Sequence, residues 1–164
     1  MSRRWFAALL AALTLLGLCG CGGKAKTRTV SMDGLRQSML SAAPSLPEMK
    51  SVSDKDDNAE NMFAYFSDLD YGKVEHFFLV YSATGLADEI AVIAVKDPAD
   101  AAAARDSLAS HLKDRTLLYQ QYQPDQVPRV KDAELFVSGQ YVVLIVCDEA
   151  DAVKKAFSAA TAEG

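Results

Sequence analysis

"IAVIAVKDPADAAAA", Ile90 to Ala104, has an echo in "YVVLIVCDEADAVKK", Tyr141 to Lys155. Each stretch runs six apolar residues, one variable residue, an aspartate, one more variable residue, and then Ala-Asp-Ala. The two aspartates, Asp97 and Asp148, stand 51 residues apart. Short apolar runs rich in β-branched residues read as strands. Aspartate is a favoured helix N-cap, and Pro98 after Asp97 sits at the first helical position, where its missing N–H costs nothing. The alanine-rich stretches that follow therefore read as helices, the first to about Tyr122 and the second to about Ala160. Ala101, Ala104, Leu108, Leu112, Tyr119 and Tyr122 mark the inner side of the first.

A further strand precedes each unit. "KVEHFFLVYS", Lys73 to Ser82, leads through a turn at Thr84 and Gly85 into "DEIAVIAVK", Asp88 to Lys96. "AELFVS", Ala133 to Ser138, leads through Gly139 into "QYVVLIVC". The chain thus reads as two tandem strand–strand–helix units. Together they predict an α+β domain, a four-stranded antiparallel sheet with helices packed on one face. One feature resists a one-sided sheet. "IAVIAV" and "YVVLIV" do not alternate apolar and polar residues, so both faces of the central strands need cover. Three covers fit: an N-terminal helix over Met32–Ala43, a partner chain, or an enclosed small molecule.

Working outward, Leu35, Met39 and Leu40 give that N-terminal helix its apolar face, and Pro44 and Pro47 end it. "SVSDKDDNAEN", Ser51 to Asn61, reads as a polar loop. Met62–Leu69 fits a helical turn or a short strand, and "YQPDQVPRV" reads as a proline-punctuated loop.

The amino end carries a different message. Arg3 and Arg4 precede a 14-residue apolar stretch, Trp5 to Leu18. A helix crossing roughly 30 Å of hydrocarbon needs about 20 residues, so a signal peptide fits better than a span. "LCGC", Leu18 to Cys21, has the form of a bacterial lipobox, in which Cys21 receives the acyl chains. Cleavage before Cys21 removes 20 of the 164 residues, and with Arg3 and Arg4 gone the net charge moves from −5 to −7. Residues 1–20 are then a lipoprotein signal peptide, 21–31 a flexible tether and 32–164 a single domain. The tether, Gly22 to Ser31, would reach roughly 17 Å on a random-coil rule. "SRRWF" is similar to a twin-arginine export motif, so the general and twin-arginine export routes both stay open. The expected address is the extracytoplasmic face of the cell membrane, with the membrane as partner through lipidated Cys21.

Composition narrows the function classes. The acidic balance and the lack of a basic cluster outside the extreme amino end argue against nucleic acid. With Cys19 removed and Cys21 acylated, Cys147 alone remains and no internal disulfide is possible. Cys147 closes an apolar run and reads as a small buried hydrophobe. His76 and His111 lack metal-ligand spacing. Asp54, Asp56 and Asn58 have the start of a calcium loop, but Ala59 and Tyr65 occupy the glycine and glutamate positions that such a loop requires. No serine sits in a nucleophile elbow, no glycine run forms a phosphate loop, and no motif implies a cofactor. Arg115 is the informative charge. It lies near the apolar stripe of its helix, so its guanidinium needs a partner, and Glu89 or Asp88 at the start of the second strand is the expected one. Arg115 is either structural, as an ion pair or with its stem along the core and its head in water, or a ligand-facing group.

From the lipobox through "ADEIAVIAVKD", Arg115, "YQPDQV" and "AELFVSGQYVVLIVCD", the chain resembles a family of small lipoproteins from clostridial-type Gram-positive bacteria that carries a domain-of-unknown-function label. The resemblance covers roughly Leu35 to Phe157. Cys19 inside the lipobox departs from it. It implies a surface lipoprotein and supplies no activity, substrate or catalytic residue. The function expected from the sequence is therefore a non-enzymatic domain binding an envelope protein or a small ligand. An envelope-directed hydrolase or transferase is the alternative, disfavoured by the missing nucleophile, metal and paired-acid motifs.

Overall fold

The computed structural model describes residues 31–162. Cys21, the leader and the tether as far as residue 30 lie outside the described residues. The elements in chain order are α1 (Met32–Ser41), β1 (Met49–Ser53), α2 (Ala59–Phe63), β2 (Val74–Ser82), β3 (Glu89–Val95), α3 (Ala101–Tyr122), α4 (Val127–Lys131), β4 (Glu134–Ser138), β5 (Tyr141–Val146) and α5 (Ala150–Thr161).

The fold is α+β, and its sheet has five strands rather than four, in the order β1-β2-β3-β5-β4, antiparallel throughout. The additional strand is β1, drawn largely from the segment that reads as a polar loop. Its side chains give no strand signal because it is an edge strand. Its order comes from backbone pairing to β2, from Met49 opposite Ser82 to Ser53 opposite Phe78, and an edge position tolerates polar side chains.

The two apolar runs are the central strands. β3 and β5 pair directly, with Ile90 opposite Ile145 and Ile93 opposite Val142, and every residue of both is buried. Ala91, Ile93, Val95, Val142, Leu144 and Val146 face one core, together with Phe63, Phe66 and Phe77. Ile90, Val92, Ala94, Tyr141, Val143 and Ile145 face the other. The absence of alternation in the sequence is thus the mark of a sheet buried on both sides.

The helices do not share a face, which corrects the one-sided arrangement. α3 covers the first core through Ala101, Ala104 and Leu108, while α5 covers the second through Val153 and Phe157. Tyr122, expected on the inner side of α3, is 68% exposed. A two-fold axis normal to the sheet relates antiparallel neighbours and would place both helices on one side. The repeat therefore holds for the strands and fails at the helices. Asp97 caps its helical turn by accepting from Ala99 N at 2.9 Å, whereas Asp148 is held by Arg129 at 2.6 Å. The second face is completed by α1, whose buried Leu35 and Met39 join the same core.

Two hairpins set the register. Gly139 and Gln140 link β4 to β5, with φ +58° at Gly139 and no positive φ at Gln140, the pattern of a type II′ turn. Gly85, at φ +80°, sits in the longer connection between β2 and β3. There the Ser82 hydroxyl accepts from the N–H groups of Thr84 and Leu86, each at 3.2 Å.

Candidate functional site

The β2–β3 connection lies against the C-terminal half of α3, and three side chains of that helix meet it. His111, Arg115 and Tyr119 are spaced at i, i+4 and i+8, which puts them in one row on a helix surface. All three reach toward Glu89 or the turn before it. Glu89 follows the inward register of Ala91 and Ile93, so its carboxylate points into the first core, where the residue is only 3% exposed.

Burying a carboxylate is costly unless its oxygens are paired. Arg115 Nη1 donates to Glu89 Oε2 at 2.5 Å, and His111 Nε2 lies 2.8 Å from Oε1. Arg115 also donates to the Ala87 carbonyl at 3.3 Å and, through Nη2, to the Tyr119 hydroxyl at 3.0 Å. Tyr119 Oη in turn lies 2.9 Å from the Leu86 carbonyl and 3.2 Å from that of Gly85, and donates its proton there. The row on α3 thus fastens both the start of β3 and the turn that leads into it.

Beside this network lies a cleft of about 550 Å³. Phe66, Leu79 and Leu86 form apolar walls, Glu89, His111 and Arg115 a polar one, and Tyr65 and Leu118 stand at the mouth, 78% and 53% exposed. Tyr65, Phe66 and His111 also line a smaller cavity of about 160 Å³, bounded by Ser107, Asp68 and Asp114. Ser107 and Ser67 share a hydrogen bond of 2.8 Å at its base, and Asp68 N donates to the Ser107 hydroxyl, also at 2.8 Å. The two cavities form one groove between α3 and the turn after α2.

Of the two partners expected for Arg115, Glu89 takes the role. Asp88 faces elsewhere and is held by Arg129, whose Nη1 donates to both its oxygens at 2.9 and 2.8 Å. Burial works against the charge on Arg129, but Asp88 and Asp148 outweigh it and raise the pKa above the ordinary guanidinium value. The sequence reading misses Arg129, which lies in the proline-punctuated segment that forms α4. It also takes His111 singly, although the 111/115/119 spacing is the signal that joins it to Arg115.

The remaining candidates do not converge on a site. His76 Nδ1 contacts Asp54 at 2.9 Å at the surface, and Asp56 accepts from Ser53 N at 2.6 Å as a turn residue. Among the described residues no group of three or more His, Cys, Asp or Glu side chains is placed to hold a metal ion. No helix among them is long and apolar enough to cross a membrane. Cys147 is a buried free thiol, and burial pushes its pKa up to about 11.

A family model described as Domain of unknown function (DUF4358) matches residues 48–147. No curated protein and no solved structure matches the chain. The matched span runs from the residue before β1 to the residue after β5. It holds the whole sheet, Glu89, the row on α3 and Arg129, and leaves α1 and α5 outside. On that match over most of its length, the chain belongs to the DUF4358 family.

Proposed function

We propose that this protein is a lipid-anchored lipoprotein on the extracytoplasmic face of the cell membrane, and that its domain is a non-enzymatic binding module for a small, largely apolar ligand. The anchor is Cys21, acylated after removal of residues 1–20. The charged start, the apolar stretch and the "LCGC" ending support this address. Metabolic labelling with an alkynyl palmitate is expected to tag the wild-type protein and not Cys21→Ser. Equal labelling of the two would remove the anchor.

The binding reading rests on one observation, the mutual pairing of the polar groups in the cleft wall. Both oxygens of Glu89 are engaged, by Arg115 and by His111, and the Tyr119 hydroxyl donates to backbone carbonyls. Side chains committed to one another shape and stiffen a wall. Glu89 and Arg115 are spent on that wall, while His111 turns only Nε2 to it; the non-enzymatic reading is supported by the missing nucleophile, metal and paired-acid motifs. The cleft volume and its apolar lining with a few fixed polar groups match the usual character of a small-ligand site. The test is calorimetric titration of the full chain in phosphatidylcholine nanodiscs with 3-phenylpropanol, a soluble neutral apolar probe, against empty nanodiscs. Saturable binding that is lost in Leu118→Ser is expected. Binding indistinguishable from empty discs would overturn the reading.

A further inference from the structure

Resting on the binding reading above, we infer that the occupant of the cleft is an organic cation, an apolar body carrying an ammonium group. The argument is one of charge complementarity along the groove. At the apolar end Arg115 is paired with Glu89 at 2.5 Å, and His111 shares the same carboxylate at 2.8 Å. At the other end the smaller cavity is bounded by Asp68 and Asp114, both exposed. Among the described residues neither carboxylate forms a salt bridge. The groove thus offers an apolar pocket whose arginine is paired, beside a short polar end with two carboxylates that form no salt bridge.

Aromatic side chains join the two ends. Tyr65 and Phe66 line both cavities. The face of an aromatic ring attracts a cation within about 6 Å of its centroid. An ammonium group held between the exposed Tyr65 ring and the aspartates leaves the attached apolar body directed at Leu79 and Leu86. An anionic ligand would meet the same two carboxylates as repulsion, and a neutral one would leave them unused. Complementary charge therefore selects among ligands that the apolar walls alone accept equally.

Three probes of matched shape test this: 3-phenylpropylamine, 3-phenylpropanol and 3-phenylpropanoate, titrated into the full chain in phosphatidylcholine nanodiscs at fixed ionic strength. The amine is expected to bind about tenfold more tightly than the alcohol, the scale of two partly exposed charge contacts, with the propanoate weakest. Because both aspartates are at the surface, Asp68→Asn/Asp114→Asn leaves the core intact. It is expected to bring the amine down to the affinity of the alcohol while the alcohol is unchanged. Equal binding of amine and alcohol, preference for the propanoate, or an amine preference that survives the double substitution would overturn the cation and leave the apolar cleft standing. No binding of any probe would remove the cleft reading itself, and the cation with it.

Discussion

Glu89 is a carboxylate that the first core tolerates only in company. Removing its cation strands a buried charge, which costs about 3–5 kcal/mol. Arg115→Met is therefore expected to lower the urea-unfolding free energy by that amount, and Glu89→Gln/Arg115→Met to recover much of it. A single variant as stable as the parent would show that the pair does not hold the β2–β3 turn. Cys147 allows a second prediction. Its thiol pKa rises from an ordinary 9.0 to about 11 because burial disfavours the thiolate. A group with a raised folded-state pKa contributes its stability below the unfolded value and loses it as pH climbs through the folded one. Part of the stability should thus disappear between pH 9 and about 11, and Cys147→Ala should flatten that part of the profile. At this scale the sequence was legible where a residue looked out of place, as Arg115 does near an apolar stripe. It was not legible where a residue looked ordinary. His111 has no motif around it, and only the partners at Arg115 and Tyr119 give it a role.

At the scale of elements, the two apolar runs declared themselves and β1 did not. A central strand must carry apolar side chains on both faces, whereas an edge strand such as Met49–Ser53 is defined by backbone hydrogen bonds that leave no trace in side-chain pattern. The placement of α5 was hidden for another reason. α3 is 22 residues long and packs across β3, β5 and β4, and with Ala59 and Phe63 of α2 and Val130 of α4 it fills that face and leaves α5 the other. The internal echo suggested equivalence, and packing broke it. The inequivalence is measurable. Asp97→Ala removes a side-chain cap and should cost about 1 kcal/mol, while Asp148→Ala loses only an exposed contact to Arg129 and should cost less than about 1 kcal/mol. Equal losses in chemical denaturation would restore the symmetric picture. Phe157, which packs edge-on against Phe136 and Tyr141 at 5.5 and 5.9 Å, anchors α5. Phe157→Ala should cost about 3–5 kcal/mol, read from the same denaturation curves.

Across the whole molecule, a sheet clad on both sides depends on both claddings. Shortening the chain to begin at Ser45 removes α1 and uncovers part of the face lined by Ile90, Val92 and Val143. Contiguous apolar surface of that kind drives association, so light scattering after size exclusion should show a larger species for the shortened chain than for the chain that begins at Ser31. A monomeric truncated chain would show that α5 alone suffices as cover. The amino end enters the described structure at Ser31, and α1 is moored there to the β1 edge by Arg36 on Ser51 and by Asp33 with Lys55. The cleft opens on the other side of the sheet, beside α3. Tension applied through the amino end would meet those moorings first and would load α1 in shear along α5. Lys55 stands four residues before α2, so part of that load passes to the turn that borders the groove. The sheet itself divides the anchored face from the cleft by a wall two side-chain layers thick.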